Sequence, residues 1–83
     1  MNVVVLTPGK EIYKGTVSSV KVPGVSGQFE VLNGHAAIVS SLGEGVVRLR
    51  ENNGKEILFN ITSGFIEVLQ NEVSLLVQGY SEQ

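Results

Sequence analysis

The sequence contains no cysteine, no tryptophan and no aspartate, and His35 is its only histidine. Without cysteine there can be no disulfide, no thiolate metal site and no cysteine nucleophile. A single histidine excludes a multi-histidine metal site, and a Ser-His-Asp triad would need glutamate in place of the missing aspartate. No glutamate is close to His35 in sequence. We therefore expect no catalytic residue, no metal and no cofactor, and we expect His35 to brace a turn or contact a partner.

Basic residues are also few, with six Lys and Arg against eight Glu and a formal net charge of -2. A protein that binds nucleic acid through its phosphates needs a basic patch, and single-strand binding adds stacking aromatics beside it. Aromatic residues make up only 6% of this chain and are scattered. Nucleic acid is therefore not an expected partner.

Long hydrophobic runs are missing as well. The longest aliphatic run is Val3–Leu6, whereas a membrane-spanning helix needs about 20 apolar residues. The first residues, Met1–Val3, carry no basic lead-in to a signal peptide. We expect no direct insertion into a membrane.

What the sequence does contain favours strands, because valine occurs fourteen times and alanine twice. Ten glycines punctuate its 83 residues at intervals typical of a sandwich or barrel. We predict one all-β domain over residues 1–83, a sandwich or barrel of about nine mostly antiparallel strands. Pro8 and Pro23 are each expected to end a strand. The predicted strands are Asn2–Thr7, Glu11–Lys14, Thr16–Val22, Gly27–Leu32, Ala37–Ser41, Gly45–Glu51, Lys55–Ser63, Phe65–Gln70 and Glu72–Gln78.

The hairpin at Asn52–Gly54 can be given a register from its charges. A three-residue loop sets Arg50 opposite Glu56 and Glu51 opposite Lys55, both favourable pairs, whereas a two-residue turn would oppose two glutamates. The same register places five apolar side chains on one buried face, namely Val47, Leu49, Ile57, Phe59 and Ile61.

The last hairpin is predicted to turn at Gln70-Asn71, with Val68 opposite Val73. Its outward face then carries Phe65, Leu69 and Leu76, which is too apolar for a surface bathed in water. Strands that are apolar on both sides lie either between two layers of a core or under a partner. The sequence leaves both readings open.

Two other functions, phosphate binding and the carriage of a group on a lysine, have little support in the sequence. The glycines of Pro23–Gly27 resemble a phosphate-binding loop only loosely, because no Lys-Ser/Thr and no helix follows them. Lys55, beside a hairpin turn, allows the alternative of a free-standing carrier or binding module of the lipoyl or biotinyl kind. The sequence around it lacks the usual attachment motif.

Six segments of the sequence form a specific pattern by their order and spacing, namely Val5–Pro8, Tyr13–Gly15, Val20–Ala36, Gly45–Arg48, Ser63–Val68 and Asn71–Leu76. Together they resemble one family, the N-terminal domain of the epsilon subunit of rotary F-type ATP synthase, called delta in mitochondria. Asn33 and Glu30 depart from the family pattern, which usually has proline and glycine there.

The resemblance implies a flattened β-sandwich of about ten strands. It also implies a non-catalytic rotor subunit of the central stalk that binds the gamma subunit and the c-ring loops within a hetero-oligomeric complex. It would couple proton-driven rotation to ATP synthesis, peripherally on the cytoplasmic face of a bacterial inner membrane, or on an organelle membrane. The residues implied to face gamma are Thr7, His35, Ala36 and Ala37. Those implied to face the c-ring are Val25, Ser26, Gly27, Gln28 and Phe29.

The family's C-terminal helical hairpin has no counterpart in the sequence, which ends in a short tail, Gly79–Gln83. In the family, that hairpin can hold back ATP hydrolysis. The resemblance therefore implies a chain that neither inhibits hydrolysis by helix insertion nor carries an ATP site.

Overall fold

The computed structural model describes residues 1–83, and it contains strands and turns but no helix. No helix long and apolar enough to cross a membrane is therefore present. The predicted all-β class and the lower predicted strand number, nine, are confirmed. The strands are β1 (Asn2–Thr7), β2 (Lys10–Gly24), β3 (Gly27–Leu32), β4 (Ile38–Leu42), β5 (Gly45–Glu51), β6 (Glu56–Ile61), β7 (Ser63–Leu69), β8 (Glu72–Gln78) and β9 (Ser81–Glu82).

The strands form two layers that share the long strand β2. In the layer that we call the front sheet, the order is β4-β7-β8-β1 and then the first half of β2. In the back sheet the order is β3, the second half of β2, β5, β6 and β9. All pairings are antiparallel except that of β1 with β8. A further pairing, Gly24 with Leu42, joins β2 to β4 and closes the sandwich on that side.

A β-bulge lies where β2 passes from the front sheet to the back sheet. Val17 pairs with Glu51 and Ser19 with Arg50, so Ser18 is an extra residue on β2. The Ser18 hydroxyl donates a hydrogen bond to the Arg50 carbonyl at 3.2 Å. A bulge changes which side of the sheet the following residues face. As a result Val17 and Val20 both reach the core although they are three residues apart.

The core lies between the two sheets and consists of sixteen buried apolar side chains. Strands β1 to β8 contribute to it, most of them through alternate residues, because successive side chains of a strand point to opposite faces. Phe59 is the largest of them, and the half-buried Tyr80 ring packs on it with the ring centroids 5.2 Å apart. The aliphatic remainder is dominated by valine, the residue whose abundance predicted the strands.

The predicted hairpin registers are confirmed. Arg50 pairs with Glu56 and Val47 with Phe59, and the Glu51 amide donates to the Lys55 carbonyl at 2.8 Å. In the last hairpin Val68 pairs with Val73 across the Gln70-Asn71 turn. Those two turn residues have positive φ, at 50° and 63°, which a tight two-residue hairpin turn requires.

The predicted strands were wrong in several details, among them the bounds of Lys55–Ser63, because β6 ends at Ile61 and Ser63 begins β7. The segments Glu11–Lys14 and Thr16–Val22 are parts of the single strand β2, which continues past Pro23 to Gly24. Proline is tolerated there because the paired registers of β2 and β5 end at Lys21, so no bond from the Pro23 nitrogen to β5 is missing. The Pro23 carbonyl still accepts a hydrogen bond from the Gly43 amide at 2.8 Å. The tail also forms a short strand: Ser81 pairs with Asn60 on the outer edge of β6.

The turns gather at two ends of the sandwich. At the Val25 end lie the turns at Pro8-Gly9, Val25-Ser26 and Gly43-Glu44, together with Thr62 and Gly79. At the His35 end lie Met1, the loop Asn33–Ala37, and the turns at Asn52–Gly54 and Gln70-Asn71.

The backbone at Gly54 provides a test of the hairpin loop. Its φ is +90°, and an added Cβ would meet nothing within 4 Å, so a side chain there is opposed by backbone strain alone. Gly54→Ala is expected to lower the free energy of unfolding by about 1–2 kcal/mol, measured by urea denaturation. Gly43→Ala, where φ is not positive and the nearest atom is 3.9 Å away, is the control. Equal midpoints for the two variants would contradict the assigned loop.

Candidate docking surfaces

The outer side of the front sheet is apolar. Alternation buries Ile66, Val68 and Leu75 and turns their neighbours outward. Four outward side chains are large, apolar and 39% to 59% exposed, and Val4 and Leu6 are half-buried beside them. We call this surface the apolar face, and its four exposed members are Val39, Phe65, Leu69 and Leu76.

Registers place these side chains next to one another. Phe65 pairs with Leu76, and Leu76 pairs in turn with Leu6, so one apolar row crosses three strands. Val39 pairs with Glu67, which lies between Phe65 and Leu69 on β7. Scattered exposed apolar residues are common on proteins, but a contiguous group marks an interaction surface. The apolar outward face predicted from the sequence is thus confirmed as exposed, with Val39 added to it.

Two open depressions lie at opposite corners of the apolar face. One, of about 490 Å³, is lined by Leu6, Thr7, Phe65 and Leu76. The other, of about 250 Å³, is lined by Ala37, Val39 and Leu69 among others. Thr7 and Ala37, two residues implied to face gamma, therefore border the same surface, although they lie at opposite ends of the sandwich.

His35 is half-buried in the loop at the His35 end, with exposed Ala36 after it. Its backbone amide donates to the Leu32 carbonyl at 3.1 Å, and its Nδ1 lies 2.7 Å from the Ala36 carbonyl oxygen. No carboxylate contacts the ring. These bonds hold His35 within the turn, as the first of its two expected roles requires, and its contact with a partner stays a prediction.

Other residues fix this loop from outside, and the sequence did not identify them. The Gly34 amide donates to Asn71 Oδ1 at 2.8 Å, and the Met1 amino group donates to Asn33 Oδ1 at 2.8 Å. Such bonds join residues 32 and 37 positions apart. No local pattern in the sequence signals them.

The loop implied to face the c-ring forms the β2–β3 hairpin at the Val25 end. Val25 is 66% exposed, Ser26 to Gln28 are also exposed, and Phe29 is half-buried against the core. The Val25 amide donates to the Ser41 carbonyl at 3.1 Å, which ties the hairpin to the front sheet. A Cβ on Gly24 would lie 2.6 Å from the Gly27 carbonyl oxygen, so the tight approach of the two strands requires glycine there.

The outer side of the back sheet is dominated by paired charges, with three exposed apolar side chains, Leu32, Val46 and Leu58, among them. Arg48 forms a salt bridge with Glu30 at 2.8 Å, and Arg50 forms one with Glu56 at 2.7 Å. The buried Ser19 hydroxyl also donates to Glu30. That hydrogen bond, followed by the charge of Arg48, holds the pKa of Glu30 below its ordinary value of 4.5.

The lowered pKa of Glu30 makes stability depend on pH. Because the folded pKa lies below the unfolded one, the stabilisation is present above 4.5 and is lost as the pH falls through the folded pKa. Wild type should therefore lose unfolding free energy between neutral and acidic pH, and Glu30→Gln should show a flatter profile. Glu44→Gln, which changes an exposed carboxylate without a salt bridge, is the control. Parallel wild-type and Glu30→Gln profiles would contradict the assignment.

A third carboxylate at the back sheet, that of Glu51, is bound to a phenol. The Tyr13 hydroxyl donates to Glu51 Oε2 at 2.7 Å. Partial burial and then this hydrogen bond raise the pKa of Tyr13 to about 12. Lys55, the residue of the carrier alternative, is exposed beside the Asn52–Gly54 turn, and its backbone amide is bound by Asn53 Oδ1 at 3.0 Å.

Two sheets closed around one core, with an exposed apolar outer side on the front sheet, define a β-sandwich domain. Comparison with known proteins gives the family. The sequence model of the ATP synthase delta/epsilon chain β-sandwich domain matches residues 1–82. The ATP synthase epsilon chain of Chlorobaculum tepidum is 40% identical over 77 residues, covering 93% of this chain and 88% of the relative. That of Leptospira borgpetersenii is 47% identical over 78 residues, covering 92% and 59%.

Solved structures show the same fold. A chain of the Euglena gracilis mitochondrial ATP synthase superposes with a TM-score of 0.90 at 21% identity, covering 96% of this chain and 51% of that one. A chain of the Tetrahymena thermophila mitochondrial ATP synthase central stalk and c-ring gives 0.83 at 20% identity, covering 98% and 65%.

The chain belongs to the ATP synthase delta/epsilon chain family, as its β-sandwich domain. The family named from the sequence motifs is thereby confirmed. Epsilon chains are non-catalytic subunits of the ATP synthase complex, which confirms that the chain is not itself an enzyme.

Proposed function

We propose that this chain is a rotor component of the central stalk of an F-type ATP synthase, where it helps to couple proton-driven rotation to ATP synthesis. Its apolar face is the single observation that supports this most, because an exposed apolar sheet face needs a partner. Family membership identifies the complex in which that partner is found.

The partner of the apolar face is proposed to be the gamma subunit. Four exposed apolar side chains would form the centre of the contact, and Thr7 and Ala37 would lie at its corners. His35 and Ala36 would extend the contact at the His35 end. Burying apolar surface supplies most of the free energy of such interfaces, and a polar rim adds specificity.

The c-ring loops are proposed to meet the Val25 end. Exposed Ser26, Gly27 and Gln28 offer hydroxyl, backbone and amide groups to polar loops, while Val25 and Phe29 flank them. The strands that line the apolar face end here, so one rigid body joins both contacts. Paired strands closed around one core resist shear, which suits an element that must transmit torque.

This placement makes the chain a peripheral component of a membrane-bound complex. The curated relatives described above are bacterial, which supports a position on the cytoplasmic face of a bacterial inner membrane.

Matched leucines on the two outer faces test the gamma contact. Leu76 lies on the apolar face, 50% exposed, and Leu58 lies on the charged back face, 39% exposed. Leu76→Asp should weaken binding to purified gamma by about 2 kcal/mol or more, measured by calorimetry, because a carboxylate would be buried without a partner. Leu58→Asp should bind as wild type does. If Leu58→Asp weakens binding and Leu76→Asp does not, gamma binds the back sheet instead.

The absence of cysteine allows the c-ring contact to be tested by single-cysteine cross-linking. Ser26→Cys at the Val25 end should cross-link to cysteines placed in the c-ring loops of assembled membranes. Asn53→Cys, equally exposed at the His35 end, should not. A cross-link from Asn53→Cys alone would reverse the proposed orientation.

A further inference from the structure

A carboxylate lies in the middle of the apolar face. Glu67 is exposed on β7 and directly opposite Val39 on one side and Ser74 on the other. Phe65 and Leu69 precede and follow it on the same face of the strand. Leu76 lies diagonally across on β8. The four most exposed apolar side chains of the front sheet therefore surround Glu67, and a second outward carboxylate, Glu72, lies at their border opposite Leu69.

No cation of this chain neutralises the charge of Glu67. Both salt bridges of the molecule lie on the back sheet. In the row that contains Glu67, the only cation is Lys14, three strands away across Ser74 and Val4. The spacing of adjacent strands puts the backbone of Lys14 roughly 14 Å from that of Glu67, beyond the range of a direct ion pair. The neighbouring carboxylate Glu72 already accepts a hydrogen bond from Asn2 Nδ2 at 2.8 Å.

A partner that covers the apolar face must cover Glu67 as well. Water would be removed from the carboxylate as the surrounding side chains are buried, and an unpaired charge in such a place is costly. A cation supplied by the partner changes this balance, because an ion pair at the centre of an apolar ring is shielded from solvent. Arginine fits best, since its flat guanidinium can bind both carboxylate oxygens and also stack on the Phe65 ring.

We propose that Glu67 is the specificity-determining residue of the apolar face, and that the face takes a polypeptide surface presenting an arginine or lysine ringed by apolar side chains. This deepens the proposed function and rests on it where the partner is named as gamma. A partner surface that is apolar throughout, or acidic at its centre, would be rejected.

The first experiment measures the affinity of gamma for the full chain by calorimetry at two ionic strengths. Glu67→Gln keeps the shape of the side chain and removes its charge, so it should weaken binding at least tenfold, and Glu67→Lys should weaken it further. Ser74→Lys should also weaken binding, because it places a competing cation directly opposite an intact Glu67. Wild-type affinity should fall as salt is raised, and that of Glu67→Gln should fall less.

Glu44→Gln and Glu44→Lys, which alter an exposed carboxylate at the Val25 end, are the matched controls and should bind gamma as wild type does. Because Glu67 is exposed in the free chain, its variants should unfold at the wild-type temperature. If gamma binds wild type and Glu67→Gln equally at both ionic strengths, the role of Glu67 is overturned, while the proposed function stands.

A second experiment does not depend on gamma. The acetylated tripeptide amide Leu-Arg-Leu and its analogue with norleucine at the centre are titrated into the isotope-labelled chain. The arginine peptide should shift the backbone amide resonances of β7 and β8 around Glu67 more than the norleucine peptide does, and this difference should vanish in Glu67→Gln. If gamma does not bind, the proposed function fails, and the peptides decide the role of Glu67. Equal shifts from both peptides would overturn it.

Discussion

The whole architecture depends on the passage of β2 from one sheet to the other. Its first half pairs with β1 in the front sheet, and its second half pairs with β3 and β5 in the back sheet. The extra residue Ser18 makes this possible, because it shifts the alternation so that Val17 and Val20 both enter the core. Without the shift, the apolar residues of the second half would face outward.

Closure of the sandwich also determines its two outer faces. The core buries one side of strands β1 to β8, so the apolar side chains on the other side of β4, β7 and β8 stay exposed. They therefore form the apolar face, while the back sheet carries the paired charges of Arg48, Arg50, Glu30 and Glu56. The charges of the back sheet are thus paired within the chain, whereas the apolar face is proposed to be completed by a partner. In that proposal the central carboxylate, Glu67, gives the apolar face its selectivity.

Much of the fold could be predicted because local patterns determine it. The charges around Asn52–Gly54 gave the correct hairpin, and alternation in the last hairpin gave the outward set Phe65, Leu69 and Leu76. The continuity of β2 was missed because Gly15 reads as a break. In the folded chain the Tyr13 ring covers Gly15, where an added Cβ would lie 2.8 Å from its hydroxyl oxygen.

The parts that were missed depend on contacts between distant residues. The strand β9 has only two residues, too few for any alternation, and it forms because the tail turns at Gly79 against Thr62. The exposure of Val39 follows from its pairing with Glu67 on β7, which lies 28 positions later in the sequence. The loop that contains His35 is held by Met1 and Asn71. The site residues implied by the family resemblance remain proposals, although the structure places Thr7 and Ala37 beside the apolar face.

The central claim is that the apolar face is covered in the assembled complex while the outer side of the back sheet is not. Hydroxyl-radical footprinting of side chains, read by mass spectrometry on the free chain and on the chain within the purified ATP synthase, tests it most directly. The account predicts that oxidation of Phe65, Leu69 and Leu76 falls strongly on assembly, while that of Leu58 and Val46 stays near its free value. Unchanged oxidation at the first three side chains, with protection of the last two, would contradict it.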